Sequence, residues 1–289
     1  MHAQTEKAGK LYVVATPIGN LRDMSPRAVE VLSSVSLIAA EDTRHSKKLL
    51  AHFGVGTRLM ALHDHNEKKL ADSIVQQLEQ GADVALISDA GTPLISDPGY
   101  ALVRAAHDAG VTVVPVPGPA AFTAALSVAG LPTDRFYFEG FLPAKQLARR
   151  QRLTALQTMP ATLVFYESSH RIVESLSDMA ESFGSQRTAV VARELTKVFE
   201  TVLSGTLAEL HARVSGEANQ QKGEFVVLVQ GMAIDHDEQD EQGRHAMDVL
   251  LEELPLKQAA ALAAKITGMS KNRLYGYGLE IKQSKSGRE

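Results

Sequence analysis

The sequence predicts a two-domain α/β protein with a helical C-terminal tail. Three observations carry that expectation. Short apolar runs alternate with helical patterns up to residue 116, joined by short loops, which is the pattern of a parallel, layered sheet. A Pro117-Gly118-Pro119 break is followed by a second set of strand-like runs. An acidic stretch without a base then precedes a basic, alanine-rich end. The expected boundaries are 1–117 for a first α/β domain, 118–232 for a second, 233–243 for an acidic linker and 244–289 for a helical tail of helix-turn-helix type.

The first strand, Leu11 to Ala15, runs into Thr16-Pro17-Ile18-Gly19-Asn20-Leu21. A dinucleotide fold carries its glycine fingerprint at this place. Only Gly19 is present, with no G-x-G-x-x-G and no G-x-x-x-x-G-K-[ST] near it, so a diphosphate or triphosphate cradle is not expected. Pro17 stiffens a loop that suits a flat, uncharged group, and equally a plain βα turn. Ser25 caps the next helix, with Pro26 at its first position. Leu37 to Ala40 is a strand ending in Glu41-Asp42-Thr43-Arg44, and the helix from His45 to Phe53 stops at Gly54. Leu59 to Leu62 ends in His63-Asp64-His65-Asn66, which suits a metal as well as a polar turn or helix cap; on a single loop the turn is the more ordinary use, and no metal is expected.

Val84 to Ile87 is a buried strand by its apolar run. Two polar turns follow, Ser88-Asp89-Ala90-Gly91-Thr92-Pro93 and Ser96-Asp97-Pro98-Gly99, more than a simple reversal needs. Ligands of open α/β sheets sit beyond the carboxyl ends of the strands, so Asp89, flanked by small residues, is the central candidate. Val111 to Val116 closes the first set of strands. After Pro119 an alanine-rich helix, Ala120 to Ala129, offers small residues at its start. The second set of strands is Phe136 to Phe138, Thr162 to Tyr166, Ala189 to Ala192, Phe199 to Leu203 and Gly223 to Val229. Lys145, Arg149, Arg150 and Arg152 form a basic cluster that suits phosphates or a solvated helix face. Asp235, Asp237, Glu238, Asp240 and Glu241 read as a solvated linker. Beyond it, Lys271-Asn272-Arg273-Leu274-Tyr275 opens a helix after a Gly268 turn, the shape of a helix-turn-helix reader or of a packing appendage.

Composition sets outer limits. No apolar run approaches the roughly 18 residues of a membrane helix, and the N-terminal MHAQTEKAGK lacks the apolar stretch of a secretory signal. There is no cysteine, hence no disulfide, thiolate metal site or thiol nucleophile, which fits a cytoplasmic protein. The formal charge of −4 excludes a uniformly basic nucleic-acid binder and leaves only local patches for that role.

The Thr16–Leu21, Ala40–Arg44, Ser88–Pro93, Ser96–Gly99 and Pro117–Pro119 motifs, with Phe165-Tyr166-Glu167-Ser168 and Ala192-Arg193-Glu194-Leu195-Thr196-Lys197, resemble the tetrapyrrole-methylase superfamily in its ribosomal RNA branch. That resemblance runs almost continuously from Leu11 to Gly231, and the helical tail is similar too. It implies two α/β domains with S-adenosyl-L-methionine in the cleft between them, a homodimer, and 2′-O-methylation of a decoding-centre cytidine in 16S rRNA of the small ribosomal subunit. Carried over by motif, the cofactor contacts are Pro17, Asp89 with Leu94 and Ile95, Ala120, Ala121, Tyr166, Ala192 and Gly223. The reaction needs a general base, because a neutral ribose hydroxyl is a poor nucleophile. Glu41, Asp42, His63 and Glu167 are the candidates, with Asp42 first. Arg44, Lys145, Arg149, Arg150, Arg171 and Lys197, and Lys271 and Arg273 in the tail, are the expected RNA contacts. Two other readings stand beside this one: a small-molecule methyltransferase of the same fold acting on a corrinoid or porphyrin precursor, and a non-catalytic RNA-binding module.

Overall fold

Apolar runs separated by short loops fold into the first sheet. In the computed structural model, β1 (Lys10–Val14), β2 (Leu37–Ala40), β3 (Leu59–Ala61), β4 (Val84–Ile87) and β5 (Thr112–Val116) lie in the order β3-β2-β4-β1-β5. All four pairings are parallel. The helices between them are α1 (Pro26–Ser34), α2 (Thr43–His52), α3 (Glu67–Glu79) and α4 (Tyr100–Asp108). The structure describes residues 8–63, 66–232 and 236–286, the side chains at 236–239 and 282–286 excepted. The N-terminal MHAQTEK, and Asp64, His65 and Asp235 of the motifs above, therefore lie outside the described residues.

Parallel strands need both faces covered. Ala28 and Leu32 of α1 and Leu50 of α2 cover one face, over Val14, Ile38 and Ile87. Ile74 and Leu78 of α3 and Leu102 and Ala106 of α4 cover the other, over Leu11, Ala39 and Leu86. The neighbours β1 and β4 thus send their chains to opposite faces. A crevice opens between their carboxyl ends, the switch point at which such sheets bind ligands.

The second sheet is built from β6 (Phe136–Phe141), β7 (Thr162–Ser168), β8 (Thr188–Arg193), β9 (Thr201–Thr206) and β10 (Glu224–Val229), in the order β6-β7-β10-β8-β9. Only β6 and β7 run parallel; the other pairings are antiparallel. One face is covered by α6 (Gln146–Leu156), α7 (Ile172–Phe183) and α8 (Leu207–Gly216), whose Leu153, Leu176 and Leu210 pack on Phe165, Val191 and Val227. The other face carries α5 (Ala121–Ala129), with Ala125, Leu126 and Ala129 on Val164, Val190 and Val226. Ser25 caps α1, and Thr206 with Glu209 forms a capping box on α8. Among the strand boundaries that differ from the sequence reading are those of β6 and β9. β6 continues to Phe141 across a register shift between Phe138 and Gly140. The strand expected from Phe199 starts at Thr201, leaving Phe199 exposed in the preceding loop.

Chain contacts set Met1–Gly231 apart from Met232–Glu289. The latter unit holds α9 (His236–Glu253), α10 (Leu256–Thr267) and α11 (Lys271–Ser286), closed around Met247, Ala260, Leu274 and Tyr277. The acidic stretch expected as a linker is helical from His236 onward. Tertiary contacts explain the difference. Asp240 pairs with Arg273 at 2.6 Å, Arg244 lies 4.3 Å over the Tyr277 ring, and Gly243 lets α9 close on Met269, whose sulfur would stand 2.3 Å from an added Cβ. Charge pattern alone does not reveal those partners.

Candidate cofactor and substrate cleft

The β1 and β4 loops are stitched together at the floor of the crevice. The Thr16 amide donates to the Gly91 carbonyl at 2.9 Å, and the Gly91 amide to the Thr16 carbonyl at 3.0 Å. Asp89 accepts the Asp42 amide on Oδ1 at 3.0 Å, which ties the β2 loop to the β4 loop. Its other oxygen takes no hydrogen bond from the described residues. The chain beyond is held in rare backbone conformations, with Leu94 at φ 71° and Ser96 at φ 67°. Such strain collects where a binding loop must keep a set shape. Glu67, from α3, stabilises that loop from behind. Its buried carboxylate accepts the Ala101 and Leu102 amides at 2.5 and 3.1 Å, capping a helix whose N-cap is Gly99 and has no side chain to do so.

The second sheet supplies the opposite wall. Tyr166 projects from β7 and its hydroxyl accepts the Phe122 amide at 3.2 Å, at the start of α5. Burial pushes that phenol up to about 12, so it is neutral at physiological pH. The two walls are bonded across the cleft: Thr92 Oγ1 donates to the Pro119 carbonyl at 3.0 Å, and the Asn20 amide to Thr196 Oγ1 at 3.0 Å. The enclosed space has a volume of about 500 Å³, within the usual range for a small-molecule site. Its lining combines the apolar residues Ile18, Ile95, Ala120, Ala121, Ala192 and Leu195 with the acidic residues Glu41, Asp89, Asp97 and Glu224, and Glu167 borders it with its side chain fully buried. No Lys, Arg or His is among the lining residues.

The family comparisons agree with this geometry. The model of the tetrapyrrole (corrin/porphyrin) methylases matches residues 10–211, and that of the RsmI C-terminal HTH domain matches residues 237–282. The chain is 60% identical over 268 residues to the ribosomal RNA small subunit methyltransferase I of Xylella fastidiosa, covering 93% of this chain and 98% of that protein. It is 59% identical to the protein of the same name from Pseudomonas aeruginosa, covering 96% and 99%. The chain belongs to the ribosomal RNA small subunit methyltransferase I family, within the tetrapyrrole methylases. The crystal structure of the methyltransferase CobJ shares the fold, with a TM-score of 0.58 at 20% identity over 78% of this chain and 95% of that one. The chain is a methyltransferase, and its cofactor is S-adenosyl-L-methionine.

The cleft fits that cofactor. The cofactor's sulfonium and amino group outweigh its one carboxylate, so it carries a net positive charge at neutral pH, and it has no phosphate. An acid-lined site without a basic side chain favours such a ligand by simple electrostatics and disfavours nucleotides. Ala120, Ala121, Ala192 and Gly223 contribute small side chains or none to the lining.

Of the expected cofactor contacts, Asp89, Ile95, Ala120, Ala121, Tyr166, Ala192 and Gly223 all line the cleft. Pro17 does not; it is buried under the loop, and Ile18 takes the lining position. Leu94 does not either, since its side chain packs into the core against Leu86 and α4. Among the base candidates, Glu41 lines the cleft, whereas Asp42 caps α2 through the Arg44 amide at 2.8 Å. The Arg44 side chain beside it holds the Asp42 carboxyl below the usual carboxylate range, making it the weaker base. Glu167 borders the cleft, but its side chain is fully buried. Its carboxylate accepts the Ser175 hydroxyl at 2.6 Å and the Ser168 amide at 2.8 Å and pairs with Arg171 at 2.7 Å, contacts that hold the loop after β7 in place. His63 is not among the lining residues.

The basic residues divide the same way. Arg44 is 90% exposed, and Lys145 is exposed. Arg149, expected on phosphate, is 0% exposed and bonds Asp178 at 2.6 Å, because α6 packs this position inward against α7. Arg150 shares Asp178 at 2.7 Å and also binds Glu181. Arg171 is spent on Glu167 and the Leu142 carbonyl. Lys197 bridges Glu194 and Glu224, each at 2.9 Å. In the tail Lys271 is exposed, while Arg273 is held by Asp240 and the Tyr277 hydroxyl. Lining residues that the sequence reading did not single out include Phe141, Ser169 and Glu224. A lone glycine inside a strand pattern, Gly140, was the available signal for the first of these.

Proposed function

We propose that this chain, as a cytoplasmic homodimer, transfers the methyl group of S-adenosyl-L-methionine to the ribose 2′-oxygen of a decoding-centre cytidine in 16S rRNA. The observation that carries the reading is an acid-lined cleft with exposed cations outside it, in a chain whose relatives are named for the ribosomal small subunit. The cofactor supplies an electrophilic methyl carbon. Glu41, at the end of β2, accepts the 2′-hydroxyl proton, and Asp89 holds the cofactor's cationic or ribose end. The bonded walls serve to hold oxygen and methyl carbon in line, and such positioning can supply on the order of 7–11 kcal/mol of a barrier reduction. Arg44 and Lys145 meet phosphates, and in the tail Lys271 is the exposed cation offered to RNA. A corrinoid or porphyrin precursor, rich in carboxylates, would be repelled by the same acidic lining.

The test is transfer of labelled methyl to small subunits that lack the modification, with the label mapped to nucleotide and atom. Ribose label at one decoding-centre cytidine is expected, with Glu41→Gln slowing turnover 100-fold or more, on the order of a general base's usual share, while cofactor affinity is kept. Base label, or full turnover in Glu41→Gln, overturns the assignment. Light scattering at twice 31.2 kDa is expected for the homodimer; a monomer mass would contradict it.

A further inference from the structure

The acidic lining constrains how RNA can enter. Glu41, Asp89, Asp97 and Glu224 border the cavity with acidic side chains and no Lys, Arg or His is among the lining residues, so a phosphate that followed the ribose inside would meet a net negative lining. The target nucleoside has to come in while its phosphates stay at the rim. A base brought in this way leaves its stack, at a cost of a few kcal/mol, and needs a replacement surface.

β6 offers one through a local irregularity. Phe138 pairs with Val164, on the face that also carries Tyr166 and packs against α5. With unbroken alternation Phe141 would then fall opposite Glu167, on the other face. The register slips at Glu139, and Gly140, at φ 75°, supplies the left-handed residue. Phe141 is thereby set beside Tyr166, with ring centroids 5.6 Å apart. β-bulges re-aim side chains in this manner next to functional sites. The result is an aromatic residue in the cleft wall, 54% exposed, with apolar surface left open to a ligand in the cleft. The Leu142 carbonyl, one residue on, is pinned by Arg171 at 3.1 Å, so the ring is presented from a fixed backbone. Lys145 is exposed in the same β6–α6 loop, four residues along.

We propose that Phe141 is the stacking platform for the base of the target nucleotide, splayed out of its strand into the cleft. This rests on the rRNA-methylation reading above and identifies how its substrate is held. Tyr166 buttresses the ring edge-on and covers at most one of its faces.

The experiment uses the full-length protein with unmethylated small subunits, under single turnover, and titration of S-adenosyl-L-methionine alone. Phe141→Ala and Phe141→Leu are expected to lower kcat/KM for subunits by roughly tenfold or more, the usual worth of one base–aromatic stack. Phe141→Trp is expected to restore it, with cofactor affinity within about twofold of wild type in every variant. An RNA fragment carrying pyrrolocytosine at the target position should be quenched by wild type and Phe141→Trp, and not by the other two. Unchanged kcat/KM in Phe141→Ala overturns the proposal, as does a matching loss of cofactor affinity, which would assign the ring to the cofactor. Wild-type protein that binds cofactor but labels no subunit overturns the underlying reaction instead.

Discussion

Exchanging Arg149 for Met removes a guanidinium that is fully buried between α6 and α7, where Nε meets Asp178 at 2.6 Å and Nη2 meets Glu174 at 3.4 Å. Deleting one partner of a buried pair leaves the other charge short of compensation, at a cost of about 3–5 kcal/mol. Asp178 keeps Arg150 at 2.7 Å and Gln146 at 3.3 Å, and Met refills much of the volume, so the low end, about 3 kcal/mol, is expected. In a thermal melt that is a fall of roughly 6–12 °C for a domain of this size. The salt dependence of rRNA binding, measured by filter retention across a salt series, should stay as in wild type, because a buried cation neutralises no phosphate. Stability within about 0.5 kcal/mol of wild type, together with a salt slope reduced by about one phosphate, would refute the reasoning and return Arg149 to the RNA.

Other perturbations follow from the same contacts. Gly223→Ala forces a side chain onto φ 97° and within 2.5 Å of the Glu194 carboxyl carbon, so loss of about 1–2 kcal/mol of stability and weaker cofactor binding are expected by denaturation and calorimetry. Charge reversal of Arg44 and Lys145 should weaken rRNA binding and flatten its salt dependence while leaving cofactor affinity alone; an unchanged slope would remove them from the interface. Acid should destabilise the second sheet first. Burial pushes the Asp178 and Glu194 carboxyls up, but hydrogen bonds from Arg150 and Arg149, and from Lys197 and the Glu224 amide, leave both below their ordinary values of 3.8 and 4.5. Folded values under unfolded ones mean that this stability is complete above about pH 4.5 and is lost as pH falls through the folded values. Asp178→Asn should flatten that limb of a urea-midpoint profile.

Local rules carried far in this chain. Val84–Ile87 could be read as a buried strand and Asp89 as ligand-facing because loops after parallel strands are where such sheets bind. The absent glycine fingerprint pointed away from phosphate, and the acid-lined cleft gives the same answer from its side chains. Side-chain direction was not legible. Arg149 and Lys145 sit in one basic cluster, yet Arg149 is packed inward from within α6 while Lys145 is the exposed N-cap residue ahead of it. Glu41 and Asp42 are neighbours, and only the backbone turn that makes Asp42 an N-cap separates their roles. Leu94 and Ile95 were both expected at the cofactor, but Leu94, at a positive φ, packs against the core and only Ile95 lines the cleft. The acidic stretch was read by its charge, while its helix depends on partners such as Arg273, distant in sequence.

The central claim is that one phosphate-excluding, acid-lined cleft holds the cofactor through Asp89. Calorimetric titration of S-adenosyl-L-methionine into wild type and Asp89→Asn tests it most directly, since the amide can keep the bond from the Asp42 amide while losing the charge. A hydrogen bond to a charged group is worth about 1.5–3 kcal/mol, so affinity should fall by roughly 10- to 150-fold, and millimolar ATP should not displace the cofactor from wild type. Equal affinity in the two proteins, or displacement by ATP, would contradict the account.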